Sequence, residues 1–312
     1  MPFCHADAMT SLLPDESIAL GPAANPRFTE TKPEPAVGPA ASTPDLRHRA
    51  PAQSLILELA ERRATAATTG PPKRGRKRPP ITEDERSWFL GALGERKVAA
   101  LLSALGPEFT VLHSVPVGKG DSDIDHVVIG PSGVFTINTK NHPGKKVWVG
   151  GRAMLINGHK VPHIRNAAFE ARRAGKLLSA ASGLTVPVTA IVVVVNAGSL
   201  TIRHAPEADE VRLLVIRDSQ LLGAISTRPE FSATQVQQIV DAAIVPKTWH
   251  KSPVDDGDVS EHLAAFDDLV GDVTRHDKSA GRQKLLWGLA AAFMPFVAIY
   301  AGLNLLLNVL AG

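Results

Sequence analysis

The spacing of hydrophobic and polar positions changes period several times along the chain, and each change predicts an element. Thr82-Glu83-Asp84-Glu85 forms a capping-box pattern, with a hydroxyl at the N-cap and a carboxylate three residues later. Trp88, Leu93, Val98, Leu101 and Leu105 follow at near-helical spacing, so a helix is expected to run to about Leu105, where Gly106-Pro107 stops it. Short β-rich runs come next, at Phe109–Val115, Ile124–Ile129, Val134–Thr139 and Lys146–Val149. Gly130-Pro131-Ser132-Gly133 separates two of them and predicts an antiparallel hairpin. Ile164–Ala181 reads as a helix, and Val188–Val195 is a β-branched run suited to a strand covered on both faces. Val211–Ile216 reads as another strand and Ser232–Ile244 as a closing helix. This order predicts an α/β fold with a mixed central sheet flanked by helices.

The pattern fails at both flanks. More than half of the 24 prolines lie in the first 80 residues, where no apolar period is sustained. Such a segment buries too little apolar surface to offset its ordering entropy, so residues 1–80 are expected to be mostly disordered, with a short helix near Ser54–Arg62. Residues 81–245 are expected to form the compact domain. Residues 246–284 are expected to be a polar linker carrying a short helix at Val259–Val270. Leu285–Leu310 has no charged residue and is long enough to span a bilayer, which predicts a C-terminal transmembrane helix kinked at Pro295. Arg275, Lys278, Arg282 and Lys284 precede it and no cation follows, so the N-terminal bulk is expected on the cytoplasmic side of the cell membrane in a single-pass arrangement. Asp7 and Glu16 interrupt the first residues, which do not read as a signal peptide.

Composition narrows the chemistry only a little. The net charge of +3 names no partner, and the single cysteine, Cys4, excludes an intrachain disulfide and a cysteine-based metal site. No phosphate-binding Gly-Lys loop, dinucleotide fingerprint or nucleophile elbow is present. The informative stretch is Gly120–Gly144. Residues two apart on a strand share a face, so Asp123 and Asp125 point one way at a strand start, as do Asn138 and Lys140 at the end of the next strand. The hairpin brings these ends together. Carboxylate and amide oxygens beside an ammonium suit Mg²⁺ or Mn²⁺ and phosphoryl chemistry, although Asp and Lys at strand ends are also ordinary solvated residues. His126, adjacent to Asp125, is expected to face the other way and pack.

Gly94-Glu95, Asp123-Ile124-Asp125-His126-Val127-Val128 and Gly133-Val134-Phe135-Thr136-Ile137-Asn138-Thr139-Lys140 resemble the nuclease-related domain called NERD, itself similar to the PD-(D/E)xK nucleases. The resemblance covers roughly Gly91 to Ile225. It implies a restriction-endonuclease-like core that hydrolyses phosphodiester bonds of nucleic acid with a divalent metal. It implies that Glu95, Asp125 and Asn138 hold the metal and that Asp125, Asn138 and Lys140 act in catalysis. Asn138 departs from the pattern, which has Glu or Asp at that place, so the alternative is a degenerate binding or interaction module at the membrane. Glu170 is either a compensating acid or, as preferred, a surface charge paired with Arg172 or Arg173. Arg165, Asn166, Arg172, Arg173 and Lys176 make the following helix basic, which would suit phosphate contact. Lys73-Arg74-Gly75-Arg76-Lys77-Arg78 resembles an AT-hook, whose Arg-Gly-Arg core here is Arg74 and Arg76. Its partner is either nucleic acid or anionic lipid.

Overall fold

The computed structural model describes residues 45–68, 79–117, 122–252 and 256–278. The expected membrane helix over 285–310 and the basic run containing Arg74 and Arg76 lie outside the described residues. Among the described residues no helix is long and apolar enough to cross a membrane.

A 3₁₀ turn at Leu46–His48 leads into α1 (Gln53–Thr68) and α2 (Glu83–Leu102). Strands β1 (Thr110–Pro116), β2 (Asp123–Gly130), β3 (Gly133–Asn141), β4 (Lys146–Gly150), β5 (Ala153–Ile156) and β6 (His159–Val161) follow. Then come α3 (His163–Ser182), β7 (Val188–Val195), β8 (Ser199–His204), β9 (Leu213–Arg217), α4 (Leu221–Ile225), α5 (Ala233–Ala243) and α6 (Pro246–Trp249). A last helix, α7, covers residues 260–278.

The central sheet has five strands in the order β1-β2-β3-β7-β9. The first three are antiparallel neighbours, while β7 pairs parallel to β3 and to β9, so the sheet is mixed as expected. The β2–β3 hairpin closes with Gly130 opposite Gly133, and Gly133 sits at φ 133°, a conformation that disfavours any side chain. Strand β7 is covered on both faces. Its Ala190, Val192 and Val194 pack toward α3, while Ile191, Val193 and Val195 pack toward Val98 and Leu102 of α2 and Leu221 of α4.

The expected capping box is present. Thr82 Oγ1 accepts from Glu85 N–H at 3.4 Å, and Glu85 Oε2 accepts from Thr82 N–H at 2.8 Å. Farther along α2, the backbone at Gly94 lies so close to β3 that a Cβ there would meet Asn141 Cβ at 2.8 Å and Thr139 Cγ2 at 3.2 Å. Asn141 Nδ2 also donates to Leu90 O at 2.7 Å, so the helix is held against the strand end.

Three features differ from the sequence expectation. The run Lys146–Val149 joins a second, four-stranded sheet, β6-β5-β4-β8, instead of the central one. Val147, Val149, Met154 and Ile156 of that sheet pack onto Ile164, Ala167, Ala168 and Ala171, and the small side chains let α3 lie between the two sheets. The folded part also begins earlier than residue 81. The short helix near Ser54–Arg62 is a four-turn helix whose Ile56 and Leu59 meet Phe89 and Ala92 of α2. Finally, the segment read as a linker carries the helix expected near Val259–Val270, extended as α7, but also forms α6, and its Phe266 and Leu269 complete the same cluster. Leu46 is anchored by its N–H to Ile244 O at 3.0 Å, and Arg49 bridges Ser114 O and the Asp256 carboxylate. The apolar residues of both segments are too sparse to hold a helix alone: α1 and α7 become ordered by burying against α2, and Leu46 and Trp249 by joining the cluster of β1, α3 and α5.

Candidate active site

Ladder pairing between β2 and β3 runs from the turn to His126 opposite Ile137. Beyond that pair the strands stop exchanging backbone bonds, and the N–H of Thr139 is taken by Asp125 Oδ2 at 2.5 Å. The pleat places Asp125, Asn138 and Lys140 on the α3 side, as the alternation predicts. Asp125 and Asn138 are buried, with 8% and 7% of their surface exposed. Glu95 comes from α2, which packs on the opposite face, and is 5% exposed. The close approach allowed by Gly94 brings its carboxyl near the same strand ends.

Burial raises the pKa of every acid here, and the Asp125 charge adds to the shift of Glu95, Asp123 and Glu170. Burial pushes the Glu95 carboxyl well above its usual range, the charges of Asp125 and Asp123 add to the shift, and Lys140 opposes it. Burial raises Asp125, while the Lys140 ammonium and the Thr139 N–H hold it back. Asp123 rises to about 6 through burial and the Asp125 charge, against Ser54 and Arg49, which lower it. Glu95, Asp125 and Glu170 thus share the influence of the Lys140 ammonium, while Asp123 adds its charge to Glu95 and Glu170 from the strand start. Such a site favours either protons or a cation.

Glu170 is the main correction to the site. It is not paired with Arg172 or Arg173. It is half-buried and turned toward β3, accepting from Asn138 Nδ2 at 3.1 Å and 2.9 Å on its two oxygens. Burial lifts it to about 7, the Asn138 amide pulls it down, and the Asp125 charge pushes it up. The amide departure at 138 thus has an acid directly against it. The sequence carried a signal for this. Glu170 lies three residues after Ala167 and four before Ala174, both fully covered, so it belongs to the inward stripe of α3.

His126 behaves as expected. It is fully buried on the other face, with its Nδ1 2.9 Å from Nδ1 of His113, and burial keeps both rings neutral. A second histidine pair went unforeseen. His142, just past β3, stacks on His163 at the start of α3 with ring centroids 6.0 Å apart. Both are held at about 4, chiefly by burial, with Lys140 contributing to each.

Arg165 and Arg172 do not reach the carboxylates. Both are exposed on the outer face of α3, and Arg172 Nη2 donates to Asp209 O at 2.9 Å.

Three oxygens at the carboxylate edge are buried without a hydrogen-bond partner: Glu95 Oε2, Asp123 Oδ2 and Asn138 Oδ1. Unsatisfied buried acceptors of this kind fit a hard cation, which takes oxygen ligands. Among the described residues, no three His, Cys, Asp or Glu side chains are drawn together as a ready ligand set. Two carboxylates and the amide oxygen of Asn138 are the donors that fit.

Residues 90–195 match the family model of NERD, the nuclease-related domain. The match takes in Glu95, both hairpin strands, Lys140, all of α3 with Glu170, and β7. A stretch of 67 residues is 45% identical to an uncharacterized protein of Bacillus anthracis, covering 20% of this chain and 30% of that protein. The chain therefore spans less than a third of that relative's length. No solved structure matches.

Proposed function

We propose that the NERD region is a metal-dependent nuclease of restriction-endonuclease-like architecture, tethered to the cell membrane by residues 285–310 with the domain on the cytoplasmic side. The observation that carries the reading is the group of buried oxygens without partners on Glu95 and Asn138, beside Asp125 and Lys140, inside a nuclease-related region. Glu95, Asp125 and the Asn138 amide oxygen would hold Mg²⁺ or Mn²⁺. Bound there, the ion supplies Lewis acidity and lowers the pKa of water. The residues of the chain do the rest. Lys140 offers a positive charge to a phosphate and positions the attacking water. Asp125, fixed by the Thr139 N–H, keeps its remaining oxygen turned to the site. Glu170 holds the Asn138 amide through its NH₂ group, which leaves the amide oxygen free, and adds the negative charge that an amide lacks. The basic run with Arg74 and Arg76 would add affinity for nucleic acid or for anionic lipid near the membrane.

The test uses the full chain with labelled DNA and RNA, titrated with Mg²⁺ and Mn²⁺. Metal-dependent cleavage that Asp125→Ala and Lys140→Ala each abolish supports the reading. Asn138→Glu, which restores the family pattern, should raise metal affinity. Absence of metal binding in calorimetry, for both the wild type and Asn138→Glu, overturns it. A second reading is a degenerate nucleic-acid-binding or protein-interaction module at the membrane. The bidentate Asn138–Glu170 contact favours this reading, since it satisfies an acid that a working site would leave for the ion. Binding of nucleic acid without cleavage under any metal would select it.

A further inference from the structure

Arg165, Phe169, Arg172 and Lys176 lie four, three and four residues apart on α3 and form one stripe, every member of it exposed. Phe169 stands out within it. It is 59% exposed, while most large apolar side chains of the domain are covered. The ring borders a cavity of about 580 Å³ between α3, the end of β6 and the segment around Glu207–Asp209. Four cations line this cavity, Arg152, Lys160, Arg165 and Arg172, against two anions, Glu207 and Asp209. Its excess is two positive charges. The Arg152–Asp209 ion pair and the Arg172 bond to Asp209 O fix the far wall. They leave Lys160 and Arg165 to meet a ligand. Glu170, the next residue on the helix, turns inward to Asn138. The stripe therefore runs alongside the carboxylate edge, one helix face away.

We propose that this stripe is a track for single-stranded nucleic acid, with a base stacked on Phe169 and the flanking phosphates on Arg165 and Lys160. The inference deepens the nuclease reading above and rests on it for the choice of ligand. A flat, exposed ring among cations recognises a π-face next to phosphates, and every unpaired base offers one. A base stacked within a duplex has no free face, so the ring selects unpaired strands. From Arg165 to Lys176 the helix rises about 16 Å, the length of roughly five stacked nucleotides. The cavity falls within the range of about 300–1,000 Å³ that holds a small ligand, enough for one extruded base.

Binding of a labelled single-stranded 12-mer, as DNA and as RNA, would be measured on the full chain in EDTA, where no metal-dependent cleavage occurs. Lys73, Arg74, Arg76, Lys77 and Arg78 would be replaced by Ser in every sample, so that the tail does not mask α3. Phe169→Ala should weaken binding about tenfold, the range for loss of one stacked base being roughly 5- to 150-fold. Phe169→Leu should weaken it as much, and Phe169→Trp should retain it. Arg165→Ala should lower the slope of log affinity against log salt by about 0.7. A matched duplex should bind more weakly and be insensitive to Phe169→Ala. Phe169 is exposed, so these variants should keep the wild-type unfolding midpoint. Equal binding by the wild type, Phe169→Ala and Phe169→Leu overturns the track. So does a Phe169-dependent affinity for phosphatidylserine vesicles with none for the oligonucleotides. If cleavage fails under every metal while Phe169-dependent binding persists, the nuclease reading falls and the track stands.

Discussion

Replacing Glu170 by Gln should stabilise the domain at pH 8 and do little at pH 4.5. Burial and the neighbouring Asp125 raise the Glu170 carboxyl from 4.5 to about 7. Below pH 4.5 the folded and unfolded chains both hold the proton, so the group adds no pH-dependent penalty. Between 4.5 and 7 the unfolded chain releases it while the folded chain keeps it, and stability falls as pH rises. Each unit costs about 1.4 kcal/mol. Over this window, and discounted for the solvent that reaches a half-buried edge, the loss is about 2–3 kcal/mol. Gln keeps an acceptor for Asn138 Nδ2 and never ionises, so it escapes this loss. For a domain of this size the gain corresponds to roughly 5–10 °C in midpoint. Thermal and urea unfolding of residues 45–278 in EDTA, at half-unit steps from pH 4.5 to 8.5, would measure it. A stability difference between variant and wild type that does not change with pH, or a variant less stable than wild type at pH 8, refutes the reasoning. Asn138→Ala supplies the opposite sign. It strips the carboxylate of two hydrogen bonds and should cost about 1.5–3 kcal/mol at pH 8.

Gly94→Ala should push α2 away from β3, because the added Cβ would meet Asn141 Cβ at 2.8 Å; a loss of about 1–3 kcal/mol in denaturant unfolding checks this. A fragment ending at His250 loses α7 and uncovers Ile56, Leu59 and Phe89, so it should be less stable than one ending at 278 by about 3–6 kcal/mol, from the lost burial of Phe266 and Leu269. Equal midpoints for the two fragments would show that α7 is dispensable. For the proposed membrane anchor, a reporter fused after Gly312 should be accessible outside the cell and one before Met1 only after lysis. The reverse pattern contradicts the cation bias before Leu285.

Local rules carried much of this protein. The Thr82 capping box, the Gly130–Gly133 turn and the β-branched run of β7 each depend on a few neighbouring residues, and each formed where the sequence placed it. The strand period alone put Asp125, Asn138 and Lys140 on one face and His126 on the other, because the pleat alternates whatever the rest of the fold does. Burial against distant partners was not legible. Helices α1 and α7 have weak patterns of their own and are ordered only by meeting Phe89 and Ala92 of α2. Strands β5, β6 and β8 are short and partly exposed, so they become visible only once β4 recruits them into a sheet over α3. The inward turn of Glu170 depended on which side of α3 faced β3, a choice made by the two sheets that enclose it. The raised pKa values followed from that same packing. Residue spacing fixes which side chains share a face, but only tertiary burial removes the water that would otherwise keep four carboxyls ordinary.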